Sequence, residues 1–123
     1  TPSLIGMIIG IGIYSIGIIG EAIADFQLHR FKKTTSGICT SGLWKYSRHP
    51  NYFFEFLVWL GISLLFIGNA AFFISLIGPL CVFIILFYIT GPYTERCSIE
   101  RHGDAYKQYQ NTTSYFFPKR PIQ

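Results

Sequence analysis

From Ser3 to Gly20 the chain carries no charged residue, and the same holds across Phe56 to Ile67 and Ala70 to Ile89. Uncharged apolar runs of this length have no stable place in water, whereas a bilayer accepts them as helices that satisfy their own backbone groups. Half of the 123 residues are hydrophobic, 13% are charged, and the mean hydropathy is +0.39. The chain is therefore expected to be an all-α integral membrane protein in which residues 1–123 form a single domain. About three transmembrane helices, near Ser3 to Ala24, Asn51 to Gly68 and Ala70 to Ile89, precede a C-terminal interfacial helical tail. The first run has no basic leader and no Ala-x-Ala cleavage site, so its start at Thr1 does not read as a signal peptide.

The charges sort by topology. Arg30, Lys32, Lys33, Lys45 and Arg48 fall in the first connection, and Arg96, Arg101, Lys107, Lys119 and Arg120 fall in the tail. All ten are on one side of the three spans, which is a positive-inside pattern of a multi-pass protein. Endoplasmic reticulum, mitochondrial inner membrane and bacterial inner membrane fit it equally. The net charge of +4 is no argument for nucleic acid, because the cations do not interleave with aromatics along a soluble face. Membrane lipids are the expected surroundings. Cys39, Cys81 and Cys97 lack metal-ligand spacing and read as structural thiols.

Three features shape the helices. Gly6, Gly10 and Gly17 make a small-residue stripe that predicts close approach by another span or by a partner chain, and four-residue steps extend it to Glu21, Asp25 and His29. Metal binding by that ladder is disfavoured, since its outer members are two turns apart and no His-Glu-x-x-His pair occurs. Gly68-Asn69 predicts a tight turn, and Gly78-Pro79 predicts a kink. Trp44, Tyr46 and Tyr88 sit where interfacial aromatic belts form. After Gly91-Pro92 the composition turns polar, and a helix from about Glu95, broken at Gly103, is expected to lie back over the membrane face with Tyr106, Tyr109, Tyr115, Phe116 and Phe117 covering it.

The chemistry concentrates between Gly42 and Glu55, Gly-Leu-Trp-Lys-Tyr-Ser-Arg-His-Pro-Asn-Tyr-Phe-Phe-Glu. Pro50 suits a first helical turn, so Arg48, His49, Asn51, Tyr52 and Glu55 converge within two turns. Glu55 lies just inside an apolar run, where a carboxylate needs a partner; Arg48 and Arg96 are the candidate cations. Asp25, Lys32, Arg48, His49, Asn51, Tyr52, Glu55, Glu95 and Arg96 are together the expected cofactor-binding set, with cations for phosphates and polar groups for ribose or amide. No Gly-x-Gly-x-x-Gly or Walker loop is present, so a nucleotide would be held between helices by side chains.

The Gly42 to Glu55 run, with Ala24-Asp25-Phe26-Gln27 before it and Glu95-Arg96 to Tyr109 and Phe117-Pro118 after it, resembles the C-terminal half of the steroid 5α-reductase-like membrane family. Its Arg-His-Pro-x-Tyr core is also similar to that of sterol reductases and isoprenylcysteine carboxyl methyltransferases. The resemblance implies NADPH bound among these helices, with Asp25, Asn51 and Glu55 at polar cofactor positions and Lys32 where that branch tends to carry Arg. It implies hydride transfer to the β-carbon of an enone in a hydrophobic lipid or steroid-like substrate, with the carbonyl polarised by a Glu/Tyr pair from an N-terminal half. Catalytic residues are accordingly not assigned within these 123 residues. The methyltransferase relationship implies S-adenosylmethionine instead, and a third reading is a membrane subunit that keeps the fold as a scaffold.

Overall fold

The computed structural model describes residues 3–122; Thr1, Pro2 and Gln123 lie outside it. Helix α1 (Leu4–Thr34) leads through a 3-10 turn (Gly42–Lys45) to α2 (Pro50–Leu64), and then come α3 (Phe72–Ser75), α4 (Ile77–Ile84), a π-helical turn (Ile85–Thr90), α5 (Gly91–His102) and α6 (Asp104–Thr112). The described residues are helical or irregular, with no strand. Two helices are long and apolar enough to span a membrane: α1 and the near-continuous Phe72–His102 rod, each of 31 residues.

The expected second span is shorter than the sequence implies. At 15 residues, α2 is about 22 Å long against a hydrocarbon core of about 30 Å. Irregular turns carry the chain from Leu65 to Ala71, past the expected Gly68-Asn69 reversal. Pro50 starts α2 in its first turn, as its missing N–H allows.

The glycine stripe is the seam between α1 and α2, which run antiparallel. A Cβ on Gly10 would meet the Gly61 carbonyl oxygen at 2.8 Å, and one on Gly17 would meet the Phe54 carbonyl oxygen at the same distance. Backbone thus packs on backbone, as small residues permit. The stripe is occupied within the chain, by α2, and its Gly6, Gly10 and Gly17 are buried there. Its continuation differs from the four-residue extrapolation: the seam passes through Gly20 and Ala24, while Asp25 and His29 are exposed. Each four-residue step overshoots a 3.6-residue turn by about 40°, so steps of three and four must alternate to stay on one seam.

Two prolines free backbone carbonyls in the rod, and in both cases a hydroxyl from elsewhere takes the vacancy. Pro79 removes the donor for Ser75 four residues back, and the buried Ser63 Oγ donates to the Ser75 carbonyl at 2.7 Å. A one-residue break at Leu76 separates α3 from α4 here, three residues before Pro79. Pro92 removes the donor that the π register would supply to Phe87, five residues back, and the Tyr115 hydroxyl donates to that carbonyl. Gly91 is buried against Tyr115, where a side chain would collide. Tyr115 belongs to the tail, so the π turn is tied to the C-terminal segment.

The tail folds back as expected, with α5 ending at His102 and α6 beginning after Gly103. α5 is no separate helix, since it continues the rod from Thr90. Tyr106, Tyr109 and Phe116 are buried, while Phe117 stays largely exposed. Phe116 is 1% exposed and meets Phe53, Phe56, Phe83 and Phe87 at ring-centroid distances of 5.5–6.5 Å. Trp44 departs from the belt expectation. Its ring is buried with Ala24 and Cys39, and its indole N–H donates to the Ala24 carbonyl at 3.0 Å. Tyr46 and Tyr88 remain exposed.

Gly10→Leu should separate α1 from α2 and give a protein that aggregates or elutes heterogeneously after detergent extraction; a monodisperse variant with wild-type melting would remove the seam as a requirement. Ser63→Ala leaves the Ser75 carbonyl unpaired, and by the cost of an orphaned buried acceptor it should destabilise the fold by about 1–3 kcal/mol in thermal or denaturant unfolding.

Candidate functional site: a cationic cavity behind an Arg-Glu anchor

The connection from Ser41 to His49 is held in shape by the tail. The Tyr109 hydroxyl donates to the Trp44 and Ser47 carbonyls, Ser47 Oγ donates to the Phe116 carbonyl at 2.8 Å, and the Arg48 amide donates to the Ser114 carbonyl at 2.8 Å. Ser47 Oγ also accepts from the His49 amide at 3.1 Å, just ahead of α2. Small hydroxyl residues close to a helix start serve this purpose because they offer a local acceptor to otherwise free amides.

The centre of this arrangement is Glu95, 8% exposed on α5. Arg48 Nη1 lies between its two carboxylate oxygens at 2.5 and 2.6 Å. His49 Nε2–H donates to it at 3.1 Å, the Tyr106 hydroxyl at 2.9 Å and the Gln110 amide at 3.2 Å. One carboxylate thus gathers the first connection, α5 and α6. Arg48 is completed by its Nε, which donates to the Thr113 carbonyl at 3.2 Å, and by the Tyr115 ring 5.2 Å from its guanidinium carbon. His49 stacks on Tyr52 at 5.0 Å, and the Tyr52 hydroxyl pairs with Thr94 Oγ1 at 3.2 Å.

Burial and the Glu95 charge push the Tyr106 phenol pKa well up, and burial does the same to Tyr109. Tyr115 is pushed up to about 12, by burial first and then by the Glu95 charge. All three phenols stay protonated at physiological pH and act as donors, which is the role each plays here.

In front of the anchor opens a cavity of about 240 Å³. Of the nine residues expected from sequence, Lys32, Arg48, His49, Asn51 and Tyr52 line it. Glu95 stands behind the wall, its oxygens occupied by Arg48, His49, Tyr106 and Gln110, so it positions the lining and offers little to a ligand. Asp25, Glu55 and Arg96 are not among the lining residues. Asp25 points away from the seam, exposed, one position past Ala24. Glu55 lies one turn, about 6 Å, deeper along α2 than the lining Asn51. Neither expected cation reaches it: Arg48 is committed to Glu95, and both side-chain ion pairs among the described residues are at Glu95. Its charged neighbour is Glu21 across the seam. Arg96 is exposed on the side of α5 opposite the cavity.

Sequence reasoning missed Thr94, Ser98, Arg101 and His102, which α5 presents to the cavity together with Tyr106 and Tyr109 of α6. A helical signal was present, since Thr94, Ser98, Arg101 and His102 share one face at three- and four-residue spacing. That face carries Arg101, whereas Arg96 lies about 200° of helical rotation away from Thr94. Among the described residues the lining contains Lys32, Arg48, Arg101 and two histidines, and no Asp or Glu. Such a cavity favours an anionic ligand.

Glu95→Gln retains the shape but leaves the nine-tenths-buried Arg48 side chain without its counter-charge. Breaking a buried pair in this way should cost on the order of 3 kcal/mol, read as a lowered melting temperature. Glu55→Gln, with no ion pair to lose, should shift melting far less; equal losses would contradict the anchor assignment.

No curated protein and no solved structure matches this chain. A family model described as a protein of unknown function, DUF1295, matches residues 3–113, nearly all of the described fold, and this family is associated with steroid 5α-reductase-like proteins. The chain belongs to the DUF1295 family.

Proposed function

We propose that this chain is a membrane-embedded, multi-pass oxidoreductase domain that binds NADPH and serves the reduction of an enone-type double bond in a lipid or steroid-like substrate. The observation that carries the reading is the cavity's charge: Lys32 and Arg101 line it, no Asp or Glu does among the described residues, and Glu95 behind the wall is paired with Arg48. A dinucleotide with phosphates gains from that field, whereas S-adenosylmethionine brings a sulfonium cation that the same field repels. The cavity also offers the groups a nucleotide requires beyond its phosphates. Asn51 supplies an amide able to donate and accept, Thr94 and Ser98 supply hydroxyls, and the Tyr52 ring supplies a flat apolar face.

At about 240 Å³ the cavity is below the range of about 300–1,000 Å³ that encloses a drug-sized ligand. It therefore suits one end of a dinucleotide, whose phosphates Lys32 of α1 and Arg101 of α5 would hold. When bound, NADPH would supply a hydride for the enone β-carbon, and a proton from water would go to the α-carbon to give the saturated ketone and NADP+. Glu95 keeps Arg48 and His49 in their orientations, and Tyr106 and Tyr109 close the cavity on the α6 side. The apolar exteriors of α1 and of the Phe72–His102 rod support a cavity at a bilayer boundary, which a hydrophobic substrate would reach from the lipid.

Binding of NADPH, NADH and S-adenosylmethionine to the purified chain in lipid nanodiscs tests the reading. NADPH should bind most tightly and weaken with added salt, and Lys32→Ala and Arg101→Ala should each lower its affinity about tenfold through a lost charge-assisted contact. Tighter binding of S-adenosylmethionine would transfer the site to the methyltransferase class. Binding of none of the three would leave the chain as a scaffold subunit.

A further inference from the structure

Arg48 lines two cavities, and the second is unused by the function proposed above. On the other side of the Arg48–Glu95 anchor, a more open cavity of about 440 Å³ lies between the π turn and the tail. Its polar rim carries Lys119 and Arg120, both exposed, with Asn111 and Gln110 beside them. The aromatic part of its lining, here called its apolar floor, is Phe87 of the π turn with Tyr115, Phe116 and Phe117 of the tail. No Asp or Glu lines it among the described residues.

The Arg48 side chain is nine-tenths buried, and its hydrogen bonds run from Nη1 to Glu95 and from Nε to Thr113. Its Nη2 has no protein acceptor among the described residues, although no buried polar side-chain atom there is left both sealed and unpaired. A donor that is unpaired but not sealed has access to solvent, and Arg48 lines both cavities. The neighbouring residues are apolar on one side and cationic on the other: Tyr88 and Phe117 are 65% and 45% exposed, and Lys119 and Arg120 follow Phe117 after Pro118.

We propose that this second cavity holds one anionic phospholipid, its phosphate beneath Lys119 and Arg120 with Arg48 Nη2 as the inner donor, and its acyl chain running out along Phe87 and Phe117. Two features set this apart from general attraction of a basic face to an anionic surface. The cations surround a concave site, and the apolar floor opens beside exposed aromatics, so one molecule with a charged head and an apolar chain satisfies both halves. A soluble anion would leave the aromatic floor in water. Because the tail that forms the floor also supplies Tyr115 to the Phe87 carbonyl, a seated lipid reinforces the contact that ties the π turn to the tail. The inference rests on the membrane placement proposed above and not on the identity of the nucleotide.

The test uses the full chain in detergent micelles, with added dioleoyl phosphatidylglycerol, dioleoyl phosphatidylcholine or inorganic phosphate, read by native mass spectrometry and by thermal shift. Phosphatidylglycerol should bind as one retained molecule and raise the melting temperature, phosphatidylcholine should do so weakly, and inorganic phosphate should not compete at millimolar concentration. The double variant Lys119→Ala/Arg120→Ala should lose about tenfold or more in phosphatidylglycerol affinity, while NADPH binding through Lys32 and Arg101 stays unchanged. Arg30→Ala/Lys33→Ala, which removes two exposed cations outside the cavity, should retain the lipid. Equal loss from both double variants would reduce the effect to surface charge and overturn the proposal, as would competition by inorganic phosphate or equal retention of phosphatidylcholine. If the lipid binds as expected and NADPH does not, the cofactor reading fails alone.

Discussion

One carboxylate organises the polar end of this molecule. Glu95 stands at the point where the Phe72–His102 rod turns from apolar to polar composition, and it holds Arg48 and His49 from the first connection and Tyr106 and Gln110 from α6. A single buried carboxylate among so many donors is costly unless every lone pair is used, and here the five contacts use them. That makes the anchor cooperative: moving any one element removes donors that hold the others. The cavity wall, with Arg48, His49 and Tyr106, is therefore a consequence of the Glu95 network and not of any one helix.

The apolar end obeys a different rule. Its helices have little polar chemistry to orient them, and they are aligned by backbone approach at Gly10, Gly17 and Gly61 and by the repair of proline defects. Pro79 and Pro92 each leave a carbonyl without a helical donor, and Ser63 and Tyr115 supply hydroxyls across the bundle to those groups. The defects thus become tertiary contacts. Ser63 locks the irregular start of the rod to α2, and Tyr115 locks the π turn to the tail, close to the cavity where His49 meets Tyr115 edge-on at 5.3 Å. Apolar packing, proline repair and the Glu95 network meet within a few residues of Arg48.

The division of the cations follows from this geometry. Lys32 and Arg101 face the first cavity, Lys119 and Arg120 face the second, and Arg48 is the wall between them. A nucleotide reading and a lipid reading need not compete for the same side chains, except at Arg48, whose Nη1 and Nε are already committed to Glu95 and Thr113. What Arg48 has left for a ligand is its remaining nitrogen, since its charge is paired with Glu95.

Much was legible in the residues themselves. The all-helical class, the glycine seam, the helix break near Pro79, the break at Gly103 and the return of the tail aromatics are local signals, set by side-chain size, missing donors and the period of a helix. Five of the nine expected site residues line the cavity, because Pro50 places the Arg48 to Tyr52 run at a helix start and Lys32 lies near the end of α1. What sequence did not decide is which charge pairs with which. Glu55 and Arg48 are near in sequence, yet Arg48 spans 47 positions to Glu95. A guanidinium at the start of α2 has its nearest partner on whichever element packs beside it, and only the packing of α5 and α6 names that element. The same reason separates Arg101 from Arg96 and puts Trp44 inside: helical phase relative to a neighbour is a property of the assembled bundle, and no single segment contains it.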